Sequence, residues 1–458
     1  MKVQEYKGYQ KGSITVFLSL IIVIISSFII AIFDCAVIKT YGNIKSVDAK
    51  RAAFSLFGEY QDELFNDYSI LSVDSRYGKD EAKEKYIEDK MRLFGTNDMD
   101  HKIEGIQLLT DENCAAFREQ AIKYIEGSIY RGQVAGFADE TAWWEELVEK
   151  GDKASKKDEE YKDMLSGLKG SFDSSDTGND NVFELLEDAR NTSLIDKLVP
   201  DGIEISSRKY DLSNFSSHRQ LRKGRGLSFD TSSLYLAISS LSFNEYVLKK
   251  YNSMTDTRLD CPGFMYEVEY IISGKNSDKA NLEKVAKKLI FIRLVSNYAY
   301  LKSSAPKIAE IKALALSIAA VMFNPELEEP ISELLTWLWA YTESKCDVAA
   351  LFNNLKVPKV KSDSTWQSGL FDCFSQNITY SLSDSESGLS YEDYLRILLY
   401  TTNKKDVTKR AVDLAELNIS SVRSKFKIDN CFVKIKLYNT AYLLRGFTYK
   451  FPLIYGYN

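Results

Sequence analysis

"KGSITVFLSLIIVIISSFIIAIF", residues 11–33, decides what kind of object this chain is. The 21 residues from Ser13 to Phe33 carry no charge. As a helix rising about 1.5 Å per residue they span roughly 31 Å. The hydrocarbon core of a bilayer is about 30 Å thick. A core helix of a soluble protein is seldom apolar on every face for so long. The run is therefore expected to cross a membrane.

A cleaved secretory leader fits poorly. Its apolar core is about 7 to 15 residues long and ends at a small-x-small site. Here the run ends Ile32, Phe33, Asp34, Cys35. A lipoprotein reading of Cys35 needs small residues before the cysteine, and Phe33 and Asp34 are not small. A retained anchor is the expectation. Lys2, Lys7 and Lys11 precede the run, and Lys39, Lys45, Lys50 and Arg51 follow it. The basic residues are nearly balanced, so orientation is only weakly marked.

The rest of the composition narrows the function. Net charge is -6 over 458 residues, which gives nucleic acid no electrostatic footing. Only two histidines occur, His101 and His218, so histidine catalysis and zinc chemistry have little material. Six cysteines, Cys35, Cys114, Cys261, Cys346, Cys373 and Cys431, show no C-x-x-C pair. They read as unpaired, mostly apolar thiols, with one bridge among the later five left open. The first proline is Pro200, which suits long helices before it.

Period and punctuation give an α+β, predominantly helical chain. A basic leader covers 1–12. A membrane helix running on into a stalk covers 13–66, with Val47, Phe54, Phe57, Tyr60 and Leu64 expected on one buried face. A mixed helix and strand region covers 67–169, with strands in "YSILSVD" and "IEGIQLL", a charged helix over 79–94, and Trp143 and Trp144 as packing anchors. A flexible linker region covers 170–226, marked by "GSFDSSDTGNDN" and by the basic cluster "HRQLRKGRG". That cluster reads as a solvated loop, with anionic headgroups as the alternative. A helical core covers 227–458, with helices over 231–250 and 278–302, a helical hairpin from 311–323 and 331–346, and terminal strands beginning at "FVKIKLY". Early and late strands are expected to share a small antiparallel sheet.

Chemistry is sparse. Glu267 and Glu269 in "YEVEY" stand two apart; on a strand both face one side, read here as its wet outer face. "FDTSSL", residues 229–234, resembles a D-x-S-x-S metal-adhesion motif, but Leu234 stands where the second serine belongs. No nucleophile with a base beside it, no zinc motif and no phosphate loop is visible; "GRG", residues 224–226, is too short to cradle phosphate. The expectation is no enzyme, no catalytic, cofactor-binding or metal residue, no cofactor, and no small-molecule substrate.

Residues 11–20, "KGSITVFLSL", resemble the start of TadE- and TadG-type proteins of the tight-adherence (Flp) pilus system. The wider chain is similar to an uncharacterised family of single-pass bacterial membrane proteins, a domain of unknown function. The carrying stretches are "YEVEYIISGK" (266–275), "VPKVKSDSTW" (357–366) and "GLSYEDYLRILL" (388–399). The resemblance implies a cytoplasmic amino terminus and an extracytoplasmic domain. It also implies partners in the bilayer and among pilus or secretion proteins. In pilin-like relatives a peptidase cuts after the glycine, here Gly12, leaving Ser13 first. A glutamate usually stands five residues on; Phe17 occupies that position here. A pseudopilin-like accessory role is the leading expectation, and a membrane-anchored sensing or binding module is the alternative.

Overall fold

A computed structural model describes residues 10–173, 183, 186, 194–200, 202–229, 231–257, 261–375, 384–443 and 446–457. Most of the 1–12 leader, much of the 174–193 stretch and Asp230 of "FDTSSL" lie outside the described residues.

The chain opens on α1, Gln10–Phe57. No residue between Ile14 and Leu20 is covered, and the apolar window of this helix is 0% buried. It is the one described helix long and apolar enough to cross a membrane. Protein cover begins part-way, at Asp34, Val37 and Ile38, and becomes complete at Gly42, Ala49, Ala52, Ala53, Leu56 and Phe57. The helix stops at Gly58, whose N–H reaches back to Phe54 and Ser55, before the expected end at residue 66. The expected packing face holds at Phe57 and Leu64, which are buried, and is corrected at Val47 and Phe54, which are exposed; Ala49, Ala52, Ala53 and Leu56 join the contact face instead. Alanines let the helix lie close against a sheet, where larger side chains would hold it off.

Next come α2 (Asp62–Tyr68), a two-residue β1 (Val73–Asp74), α3 (Glu84–Leu93) and β2 (Met99–Leu108). The expected "YSILSVD" strand shrinks to β1, because Ile70 is buried in the core beneath α2. The long helical body follows: α4 (Asp111–Glu126), α5 (Arg131–Phe137), α6 (Thr141–Asp173), α7 (Leu194–Leu198), α8 (Ala237–Lys250), α9 (Glu267–Ser273), α10 (Asp278–Ser303), α11 (Ala305–Val321), α12 (Glu328–Phe352), α13 (Tyr391–Thr401) and α14 (Lys404–Val422). The chain then returns to the sheet as β3 (Cys431–Tyr442) and β4 (Thr448–Gly456).

β3 is the centre of the sheet. It pairs antiparallel with β2 on one side, and with β1 and β4 on the other. Ile103 stands opposite Leu437, Ile106 opposite Ile435, and Leu437 opposite Leu453. The inner face of this sheet, α3 and the second half of α1 enclose one core that includes Ala52, Leu56, Ile87, Ile106, Phe432 and Leu437. Phe57 meets Phe432 edge-on at 5.5 Å and Tyr457 at 4.9 Å.

The body holds two further cores. One lies among α4, α8, α9, α13 and α14, and the other among α6, α10, α11 and α12. α11 and α12 form the expected hairpin. Trp144 is buried against Tyr400. Cys35 is an exposed free thiol, Cys114, Cys346, Cys373 and Cys431 are buried free thiols, and Cys261 is buried where its sulfur accepts from the Asn252 amide.

At Gly42 the ring of Tyr449 lies against the helix, and an added Cβ would stand 2.8 Å from it. Gly42→Val should destabilise the seating of the sheet on α1 by about 1–3 kcal/mol. Val47→Ala, at an exposed position, should change stability by less than about 0.5 kcal/mol. Denaturant unfolding of both variants checks the pair.

Candidate functional site

The carboxylates singled out in the sequence are not on a strand. Glu267 and Glu269 lie in α9, a seven-residue helix with every residue buried. Two residues along a helix turn about 200°, so the side chains diverge. Glu267 accepts from the backbone N–H of Asn252 at 2.8 Å and from the Asn418 amide. Glu269 accepts from the Met254 N–H at 2.9 Å and from the Tyr391 hydroxyl at 2.7 Å. Its second oxygen is buried with no hydrogen-bond partner among the described residues. The wet outer face is thus corrected to a dry interior. Burial pushes both carboxyls up from 4.5 to about 7, against hydrogen bonds that pull the other way.

A second buried cluster sits on α12. Lys361 is fully buried between Glu343 and Asp347, 2.5 and 2.7 Å from their oxygens. Arg293 reaches Asp347 from α10 at 2.9 Å and touches the Tyr394 hydroxyl on α13 at 3.2 Å. Two cations and two carboxylates balance, which is the condition for burying charge. The cations hold Asp347 below the usual carboxylate range, against burial, which alone would raise it. Glu343 also accepts from the backbone N–H groups of Gln367 and Ser368. Lys361 therefore fastens the irregular 357–368 stretch onto α12.

The three family-like stretches meet in this interior. Glu269 of "YEVEYIISGK" is joined to Tyr391 of "GLSYEDYLRILL". Val357 of "VPKVKSDSTW" exchanges two backbone hydrogen bonds with Leu389, at 3.0 and 2.8 Å. A Cβ on Gly388 would stand 2.6 Å from the Val357 oxygen. Tyr394 and Lys361 are linked through Arg293 and Asp347.

One open constellation of comparable polarity lies where body meets sheet. Residues 206–226, the second half of the segment read as linker, carry little regular structure, yet they are tied down along their length. Arg219 grips Glu416 through two nitrogens, at 2.7 and 3.0 Å, and Asp429 at 2.6 Å. The Gly224 N–H donates to Asp111 at 2.9 Å. Arg225 and Ile106 exchange backbone hydrogen bonds, both 2.8 Å, across the outer edge of β2. Gly226 makes this crossing possible: its φ is +67, and a Cβ there would stand 2.5 Å from the Glu104 oxygen. The basic cluster is thus a largely exposed loop, as expected, but one fastened as a strap over the sheet edge.

Under the strap is a cleft of about 650 Å³ lined by Cys114, Ser217, Lys223 and Lys409, among others. Its floor is strained: Glu112, Asn113 and Cys114 have φ of 52, 61 and 64 at the start of α4. Such residues each cost on the order of 1–3 kcal/mol and persist only where surroundings hold them. Ser217 lies beside both His218 and Asp413, a grouping that sequence reading missed because Asp413 is remote in the chain. It is not a nucleophile with its base. The buried Asp413 carboxylate only accepts, and it takes hydrogen bonds from Ser216, Ser217 and Tyr270. The Ser217 proton is therefore committed to Asp413, and His218 stands on the acceptor side of that oxygen.

The other sequence candidates lie elsewhere. His101 is buried between Thr96 and Asn439. Gly12 and Ser13 are in the first turns of α1, and Phe17 is exposed on its apolar run. Among the described residues no group of three His, Cys, Asp or Glu could hold a metal ion.

Comparison with known families matches residues 172–442, more than half of the chain, to DUF5702, a family of unknown function. The chain belongs to that family. The DUF5702 segment runs from the end of α6 through β3, so it takes in all three quoted stretches, the strap and both buried clusters. No curated protein and no solved structure matches the chain.

Two predictions follow from the DUF5702 interior. Lys361→Met leaves Glu343 and Asp347 with one cation between them, and should cost about 3–5 kcal/mol in thermal or denaturant unfolding. The second concerns pH. Glu267 and Glu269 hold protons in the folded chain at pH values where the unfolded chain has released them. Their contribution is therefore greatest below 4.5, declines as pH rises towards about 7, and is flat above it. The full difference is on the order of 3 kcal/mol per group. The doubly substituted Glu267→Gln, Glu269→Gln chain should lose this slope, read as unfolding midpoints across pH against the wild type.

Proposed function

We propose that this chain is a membrane-anchored structural or accessory component, pseudopilin-like, that works with a tight-adherence pilus or a related secretion machine. One observation carries the reading. A single helix has a bare apolar first half and a second half laid on an antiparallel sheet. That division suits a subunit whose helix stands in a bilayer or among other helices while its head stays outside. The resemblance of residues 11–20 to TadE- and TadG-type starts points the same way. Phe17, in place of a glutamate, argues for an accessory part and against a polymerising pilin. A buried glutamate needs a partner in an apolar setting and so sets register between neighbours; phenylalanine sets none. In this reading α1 spans the cell membrane with its amino terminus cytoplasmic and the helical body extracytoplasmic.

A membrane-anchored sensing or binding module is the second reading, and the cleft under the strap favours it. Lys223 and Lys409 line that cleft and would suit an anionic ligand.

Mild crosslinking of the tagged full chain in its native membrane, followed by affinity capture, should recover pilus or secretion components. Recovery of neither would sink the first reading. Intact mass of the native protein separates two forms of it: a start at Ser13 means prepilin-type processing, and a start at Met1 means a plain anchor.

A further inference from the structure

We propose that two copies of this chain pair in parallel along α1, through the face of that helix turned away from the sheet. This rests on the reading of α1 as a membrane anchor. The sheet fixes which face is free. At about 100° per residue, Ile44, Val47, Arg51 and Phe54 stand roughly 120–200° round the helix from Gly42, where Tyr449 packs. Ile44, Val47 and Phe54 are 49%, 55% and 69% exposed, although they lie beyond the apolar run.

Spacing shows what fits this face. Val37, Thr40, Ile44, Val47, Arg51 and Phe54 follow one another at steps of 3, 4, 3, 4 and 3. That is a heptad seam, the repeat by which helices wind round each other. Carried back, the repeat puts Val23 and Ile30 in line with Val37 and Ile44. All four are β-branched, the residue type that two-stranded parallel coils carry in this position. The other line of the seam changes with its surroundings. Ser19 and Ser26 hold it within the apolar run, and small residues let helices close on each other in lipid. Val47 and Phe54 hold it in the stalk, where large side chains gain from leaving water. Arg51 interrupts the seam once, drawn to Asp48 of its own helix at 2.5 Å. A single polar residue there fixes register at some cost in stability.

A second copy is the occupant that meets these demands. The seam continues from the apolar run into the stalk, so its partner must also cross the membrane and continue beyond it. Copies inserted the same way are held at equal height by their apolar runs, which sets each seam residue opposite itself. Parallel pairing also keeps like charges apart. The flanking positions that then face each other are Asn43 with Asp48, Ala36 with Tyr41, and Lys50 with Ser55. Asn43 is exposed and can donate to Asp48 of the other copy. The seam supplies the register that Phe17 does not, and an isologous contact closes on two chains without building a filament.

The test uses the full chain in native membrane vesicles at low protein density, with Cys35→Ser removing the exposed thiol. Single cysteines are added on the seam by Ile44→Cys or Val47→Cys, and off the seam by Lys39→Cys. All three positions are exposed in one copy, so the fold tolerates each change. The remaining thiols are buried. After oxidation by copper phenanthroline in air, non-reducing electrophoresis should show most of Ile44→Cys and of Val47→Cys as disulfide dimer, and Lys39→Cys as monomer. Dimer at all three positions reports random collision and overturns the pairing, as does its absence at either seam position. Alkaline carbonate extraction of the same vesicles separates the two readings. Chain retained in the membrane without the seam disulfides overturns the pairing alone, and chain released overturns the anchor on which the pairing rests.

Discussion

The pairing of β2 with β3 is the constraint from which the rest of the architecture follows. These neighbouring strands are separated in the chain by residues 109–430. Closing so long a loop costs about 5 kcal/mol in chain entropy, and the helical body must begin and end at one edge of a small sheet. The chain ends therefore build the platform, and the middle is an excursion from it. The strap deals with the consequence for β2. Its outer edge would otherwise present unpaired backbone groups. Arg225 pairs with Ile106 there, and Asp111 takes the Gly224 and Leu108 N–H groups. The strained start of α4 is the corner at which the chain leaves the sheet, so the cleft and the strain have a common origin in topology.

Within the excursion, polar groups hold what apolar packing leaves loose. Lys361, Glu343, Asp347 and Arg293 give a stretch without regular structure a single seat on α12. Leucines of similar volume would bury as well, yet they would not distinguish one seat from its neighbours. A misplaced Lys361 leaves two buried carboxylates short of charge, and that penalty is steep. Arg118 serves the same end through uncharged partners. It donates to the Leu234 oxygen, to Thr408 and to Ser240, and lies over the Phe243 ring at 4.4 Å. Burial holds its guanidinium down to about 10. The DUF5702 stretches that look most motif-like thus each commit key residues to the interior, Glu269, Lys361 and Tyr391 among them.

What sequence could reveal depended on whether an element has two unlike faces. β3 was legible because its lysines alternate with buried valine, isoleucine and leucine. The helix over 278–302 was legible because Ser277 caps it at Ala280 and its buried residues recur with helical period. α9 was not, because all seven residues are buried and no contrast remains to show a period. Two glutamates two apart then imitate a strand. The stalk was legible only in part, for another reason. Its contact face mixes small residues, Ala49, Ala52 and Ala53, with Leu56 and Phe57, while larger Val47 and Phe54 point away, so counting large apolar residues finds only some of it. The buried clusters join residues far apart in the chain, and no local spacing announces them.

The small-residue face also determines how the sheet relates to α1. Partial cover begins at Asp34, and β4 runs along the helix from Gly42 to Phe57. A head joined by a flexible linker could swing; one joined over several helical turns cannot move without moving the helix. Ile44, Val47 and Phe54 remain exposed on the stalk beyond the apolar run. Any force or tilt applied to α1 within its surroundings is therefore passed to the sheet directly. From the sheet it reaches the body through β3, the strap and the Arg219 contacts with Glu416 and Asp429. A chain built this way carries position from one end to the other.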